Sequence, residues 1–330
     1  MNIVYSSSDS YAPVMGVSLF SLLKNNADSD ELNIYIIDNS ISEENKQKVI
    51  SMCGDFNREV TFIPIADIEK LVGTDIDVGR WNISTFGRLF YGSLLPQNVE
   101  KVIHVDCDTM VMSSLEPLWN TDIEGRAVAG ALECIGDSYK TEIGMDKDDI
   151  YINAGNIMLN LKYIREQKLE EKFKSFIASH SRLSFMDQPV LNACTSNGEK
   201  LVVDLRYNLY SLVYYLKYKN VLKAKRVSHY YTDKEVALAK RNPCIVHFTT
   251  CFMDGTRPWI EGNEHPLIGQ YLDYRAQSPW ADEPLWKDDR GKVKRFGGAM
   301  FNKLPQGFVA ASIGTVHDVV VPLKNKISGR

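Results

Sequence analysis

Long apolar runs, paired cysteines and an excess of one charge are all missing from this 330-residue chain. No stretch of about 18 apolar residues occurs, which argues against a membrane-spanning helix. The N-terminal MNIVYSSSDSYAP has no basic segment followed by an apolar stretch, as an export signal would. The six cysteines, Cys53, Cys107, Cys134, Cys194, Cys244 and Cys251, include no Cys-x-x-Cys spacing and read as free thiols of a reducing compartment. The expectation is a cytoplasmic protein, soluble or peripheral on the inner membrane face. With 38 Lys+Arg against 42 Asp+Glu the net charge is −4, so affinity for nucleic acid through phosphate neutralisation is not expected. There is no fixed-period repeat, and no Gly/Ser-rich or Pro-rich linker before Ser278.

What is present is enough for a core. A folded chain of this length buries roughly 75% of its unfolded surface, so a metal site would serve chemistry rather than bare stability. Short apolar runs over residues 2–5, 32–37, 60–65, 102–105 and 127–132 read as buried parallel strands. Between them, helical spacing over 14–23 and a start at Ser42-Glu43-Glu44 running toward Val49 and Met52 predict two helices. The β-α-β-α-β order predicts an α/β fold, a Rossmann-like doubly wound, mostly parallel sheet with helices on both faces. Ligands then bind outside the carboxyl ends of the strands. Further along, a helix is expected over 162–179, another from about Asp187, and strands near Leu201 and over 244–248. We place one domain over 1–278 and a C-terminal extension over 279–330. From Leu285 onward nine basic residues face three acidic ones. Trp286, Phe296, Phe301 and Phe308 are interleaved with them, which suits a membrane- or partner-associated segment. A solvated or core-packed extension is the competing reading.

The central chemical clue is Lys101-Val-Ile-His-Val-Asp106-Cys107-Asp108, an apolar strand that ends in two carboxylates one residue apart. Such carboxylates can both turn toward a hard divalent cation, and Mg²⁺ or Mn²⁺ held this way keeps coordination positions for substrate phosphates. The same Asp-x-Asp spacing occurs at Asp28/Asp30, Asp75/Asp77 and Asp146/Asp148, where it reads as solvated loop. Cys107 reads as a packed thiol, since soft sulfur suits other metals. His247 follows the apolar Cys244-Ile-Val and stands at another strand end, where imidazole could complete a site. Taken alone it would be a satisfied core histidine.

These residues carry a resemblance. The chain resembles glycosyltransferase family 8, the group containing bacterial lipopolysaccharide α-galactosyltransferases and glycogenin. The matching blocks are Asn2-Ile-Val-Tyr-Ser-Ser-Ser-Asp9-Ser-Tyr11, Asn82-Ile-Ser-Thr-Phe-Gly-Arg88-Leu, His104-Val-Asp106-Cys-Asp108, Asn153-Ala154-Gly155-Asn-Ile-Met-Leu-Asn-Leu-Lys, Met186-Asp187-Gln188, and His247-Phe with Arg257-Pro-Trp259. They stand in the family's order over roughly residues 1–260. The resemblance implies a GT-A type fold and retaining transfer of glucose or galactose from a UDP-sugar to a glycan, lipopolysaccharide, capsule or glycoprotein acceptor. It also implies Mn²⁺, with Mg²⁺ as the alternative, bridging the diphosphate.

By position, the resemblance makes Asp106, Asp108 and His247 metal ligands, with Asp106 also near ribose or sugar hydroxyls. Ser6, Asp9 and Tyr11 match the nucleotide pocket, an aromatic face for the base and a short polar side chain for its edge. Asp9 could equally cap the helix that follows. Arg88 matches a donor contact, against a plain helix salt bridge. Asn153, Ala154 and Gly155 match a close approach of backbone to sugar, against a turn before a strand. Asp187 and Gln188 match catalytic positions at the sugar, against simple helix capping. Retention then proceeds by front-face attack, in which the leaving phosphate takes the acceptor proton, because an amide oxygen such as that of Gln188 is a poor nucleophile.

The chain departs from the family at two places. Four extra residues separate His247 from Arg257, which stands for the usual lysine, so its reach to the diphosphate is open. Ser8 replaces a frequent acid. A nucleotidyl- or phosphotransferase on a related sheet would need a Gly-rich phosphate loop after the first strand, and Ser6-Ser7-Ser8-Asp9 is not one. A non-catalytic nucleotide- or glycan-binding relic is the other alternative; intact Asp106, Asp108, Asp187 and His247 speak against it.

Overall fold

The computed structural model describes residues 1–65, 83–180, 187–227, 229–250, 257–263 and 265–316. Asp75, Asp77, Asn82, Met186, Cys251 and the basic residues after 316 lie outside these, as does the side chain of Phe301. Seven strands, β1 (Asn2–Ser8), β2 (Asn33–Asn39), β3 (Val60–Pro64), β4 (Lys101–Val105), β6 (Val128–Leu132), β7 (Ile152–Asn160) and β8 (Lys200–Val202), form one sheet. Its order is β3-β2-β1-β4-β7-β6-β8. β7 pairs antiparallel with both β4 and β6, and every other pairing is parallel. Three short strands, β5 (Thr109–Val111), β9 (Leu209–Tyr210) and β10 (Ile245–His247), make a second sheet in the order β5-β10-β9.

The continuous apolar runs are explained by burial on both sheet faces. Ile3, Val4 and Tyr5 of β1 and Ile34, Ile36 and Ile37 of β2 are buried. Helix α1 (Ala12–Asn25) follows β1 with Pro13 in its first turn, and α2 (Glu43–Asp55) follows β2 with the Ser42 hydroxyl accepting from Asn45 N. α1 requires glycine at position 16, where an added Cβ would lie 2.0 Å from the Trp280 ring. Trp280 is fully buried there and donates its indole N–H to Asn45 Oδ1 at 2.9 Å. Farther on, helix Lys292–Lys303 exposes Phe296 and Met300, while helix Gln306–Thr315 buries Val309, Ala310 and Ile313. Among the described residues no helix is long and apolar enough to cross a membrane.

Several elements differ from expectation, and two of them bear on the core and the site. The helix expected over 162–179 is two, Leu161–Glu166 and Leu169–Ser179, broken at Lys168 in the left-handed region with φ 51°. Arg165 anchors the first piece to the carbonyls of Gly92, Leu95 and Val99, and the break lets Leu169, Phe173 and Ile177 face the core. β7 has no counterpart among the expected strands, because Asn153, Gly155 and Asn156 interrupt its apolar pattern. All three are buried, each for a reason at the site.

Neighbouring β1 and β4 open a crevice at their carboxyl ends, because the chain leaves β1 toward β2 on one side and β4 lies on the other. The loops after both strands, and β7 beside β4, face this crevice.

Candidate active site

β4 ends at Val105, and the next three residues turn both carboxylates toward β10. The turn is held by Asp106 N donating to Gly155 O and by Phe248 N donating to Asp108 O, at 2.9 and 2.8 Å. Asp106, Asp108 and His247 offer ligand atoms that all lie within 4.8 Å of one another. His247 Nε2 is 3.1 Å from Asp108 Oδ1 and 3.7 Å from Asp106 Oδ2. A Cβ at residue 155 would come within 2.7 Å of Asp106 Oδ2 and 2.4 Å of His247 Cε1, so only glycine leaves this space open. Two hard carboxylates, one imidazole and a cradle kept free of side chain fit a divalent cation such as Mn²⁺ or Mg²⁺. The other described Asp-x-Asp pairs, Asp28/Asp30 and Asp146/Asp148, are exposed, as expected.

The two oxygens of Asp106 have different partners. Oδ1 receives Arg88 Nη2 at 2.9 Å and His104 Nε2 at 3.0 Å, leaving Oδ2 for the cradle. Burial favours the neutral carboxyl, but Arg88, His104 and His247 outweigh it and hold Asp106 well below the usual carboxylate range. Asp108 is half-buried and likewise kept low, by His247 and Arg257. Burial, then Arg88, pushes His104 down to about 4, so it is neutral, with Tyr91 OH 2.8 Å from its Nδ1. For His247, burial opposes the charged form, but Asp108 and Asp106 raise its pKa.

Arg88, on the 3-10 helix Ile83–Phe90, is more than a local salt bridge. It also donates to the Ala154 carbonyl, and its Nε lies 2.8 Å from Asp187 Oδ2. Asp187 opens helix Asp187–Cys194; burial pushes it up to about 6 although Arg88 pulls it down. Next to it, Gln188 Oε1 accepts from Ala154 N at 3.0 Å. Asn153 sits between two acceptors and donors, giving its Nδ2 hydrogen to Glu133 Oε2 and accepting from Gly155 N at 2.8 Å.

On the β1 side, Ser6 O accepts from the buried Cys107 thiol at 3.0 Å. Asp9 does not cap α1. Its Oδ1 accepts from Ser42 N and Asn45 Nδ2, both at 2.8 Å, and so fastens the loop before α2. Tyr11 contacts Trp259 and Trp286 edge to face, and its hydroxyl accepts from Arg257 Nη1 at 2.7 Å. The longer loop after His247 does not carry Arg257 away, since the same nitrogen is 3.0 Å from Asp108 Oδ2. These contacts join Tyr11, Arg88, Asp106, Asp108, Asn153, Ala154, Gly155, Asp187, Gln188, His247 and Arg257 into one network, whereas the Asp9 carboxylate turns to Ser42 and Asn45. His104, Glu133 and Asn208 join the network without having been singled out: a histidine two residues before a carboxylate is a weak signal, and a lone asparagine in a loop is none.

Comparison with known proteins decides the family. A profile described as glycosyl transferase family 8 matches residues 2–261. The chain belongs to glycosyltransferase family 8. A putative glycosyltransferase of Haemophilus influenzae is 31% identical to this family 8 member over 241 residues, 70% of this chain and 71% of that protein. A lipopolysaccharide 1,2-glucosyltransferase of Escherichia coli K12 is 24% identical over 291 residues, 86% of this chain and 80% of the relative. The solved structure of galactosyltransferase LgtC, in complex with donor and acceptor sugar analogues, aligns with a TM-score of 0.69 at 21% identity, covering 90% of this chain and 100% of that one. The sheet order and this likeness give the family 8 chain the GT-A fold.

Proposed function

We propose that this chain is a metal-dependent, retaining hexosyltransferase that moves glucose or galactose from a UDP-sugar to a carbohydrate acceptor. The observation that carries the reading is the cradle of Asp106, Asp108 and His247 beneath Gly155, flanked by Arg88 and Arg257. When bound, Mn²⁺ would supply Lewis-acid stabilisation of the departing diphosphate. Arg257 adds a guanidinium fork on the same side, suited to phosphate oxygens. Tyr11 and Asp9 form the base end of the groove. At the sugar end, Arg88 holds Asp106 and Asp187 in place to accept sugar hydroxyls. Gln188 has its amide oxygen already engaged by Ala154 N, which further weakens it as a nucleophile and favours the front-face route. The names of the relatives support a glucosyl or galactosyl donor and a lipopolysaccharide-type acceptor. The exposed Phe296 and Met300, on one helix with Lys292, Lys294 and Arg295, support peripheral contact with an anionic membrane surface.

The test is release of UDP from a panel of UDP-sugars with Mn²⁺, with and without chelator, comparing wild type with Asp108→Asn. Slow hydrolysis by water is expected with one hexose donor, lost on chelation and in the variant. Hydrolysis of no sugar by a protein that still binds UDP would reduce the reading to nucleotide binding.

A further inference from the structure

The direction of every hydrogen bond behind His247 can be deduced from a single backbone N–H. Gly155 N donates to Asn153 Oδ1, which identifies that atom as the oxygen. The other end agrees, because Asn153 Nδ2 faces the Glu133 carboxylate. Asn208 places its side chain 2.7 Å from the same Asn153 oxygen, so the atom it presents must be the donor, Nδ2. Its remaining atom is then Oδ1, which accepts from Asn156 Nδ2 at 2.9 Å and lies 3.0 Å from His247 Nδ1. An amide oxygen can only accept. His247 must therefore carry a proton on Nδ1, which leaves Nε2 as the atom turned toward Asp106 and Asp108. Asn208 is fully buried, on the loop just before β9.

We propose that Asn208 is a positioning residue. It fixes the His247 tautomer so that Nε2 faces the metal cradle, and through Asn153 it ties that ligand to Glu133 and to the sugar-side strand. Partners of this kind behind a metal-ligating histidine set ring orientation and ligand basicity. The proposal rests on the metal-site reading above and assigns Asn208 its part in it.

Two variants separate the two halves of the amide. Asn208→Ala removes both. Asn208→Asp keeps an acceptor for His247 Nδ1 but offers Asn153 Oδ1 no hydrogen. Mn²⁺ binding, read from the free-ion electron paramagnetic resonance signal in the presence of UDP, is expected to weaken about 10- to 100-fold in Asn208→Ala. In Asn208→Asp it should stay within about threefold of wild type, while kcat for UDP-sugar hydrolysis falls about tenfold or more and KM holds. Equal Mn²⁺ affinity in all three proteins, or equal loss in both variants, overturns the proposal. If Asn208→Ala does not fold, Asn208→Asp decides alone: retained affinity with reduced kcat supports the assignment, and any other pattern overturns it. A wild-type protein that binds no Mn²⁺ with UDP defeats the metal reading itself, and this inference with it.

Discussion

Replacing Gly155 by alanine is the smallest change that tests the cradle, because it adds one methyl group and alters no charge. The new Cβ would stand 2.4 Å from His247 Cε1, 2.7 Å from Asp106 Oδ2 and 2.9 Å from His247 Nδ1, whereas ordinary contact begins at 3.4 Å. Relief requires the imidazole to retreat by about 1 Å, several times the ±0.2 Å that metal–ligand distances tolerate. Asp106 cannot retreat freely, since Arg88 and His104 hold its other oxygen. Nor can Gly155 itself move away, because its carbonyl receives Asp106 N and its own N–H is committed to Asn153. The strain should cost about 1–3 kcal/mol of stability, the usual range for one extra methyl in a packed site. Mn²⁺ affinity should fall by at least about tenfold, as for other losses of ligand geometry. Calorimetric titration of Mn²⁺ into the UDP-bound protein measures the second quantity, and thermal unfolding without metal measures the first. A folded Gly155→Ala protein with wild-type Mn²⁺ affinity would refute the assignment of this space to a cation, whatever its activity.

Protonation and membrane contact give two further tests. Burial raises the Asp187 carboxyl to about 6, so the native state binds this proton more tightly than the unfolded chain, whose aspartate titrates near 4. Its contribution to stability is present below pH 4 and is lost as pH rises through 6; stability measured by chemical denaturation should therefore decline less over this window in Asp187→Asn, and parallel profiles would contradict the shift. Phe296→Ser with Met300→Ser should abolish flotation with anionic vesicles while leaving the fold intact, because both side chains are exposed. Deleting the helices instead would uncover the partners of buried Val309 and Ile313 and confuse lost binding with lost folding. Unchanged flotation of the double variant, or no flotation of the wild type, ends the membrane proposal.

What could be read in the sequence divides along a physical line. β1, β2 and β4 were visible because a strand buried on both faces must be apolar along its whole length, and a carboxylate pair directly after one is conspicuous. β7 was hidden for the same reason that makes it useful. The carboxyl end of antiparallel β4 beside it leads into charge, so the facing stretch of β7 carries Asn153 and Asn156 to satisfy polar groups and Gly155 to stay out of the way. A strand that serves a site thereby loses the pattern that would announce it. Asn208 and Trp280 were hidden differently, since their importance lies in what stands opposite them: an imidazole 39 residues away for one, and the bare face of Gly16 for the other. Asp9 shows how a local rule can mislead, because capping its own helix was the nearest use for its carboxylate. The fold instead sends it across to Ser42 and Asn45, and Trp280 closes the same asparagine from behind. Local pattern thus located the candidate carboxylates and imidazole, whereas Asn208 and Trp280 emerge only from tertiary contact.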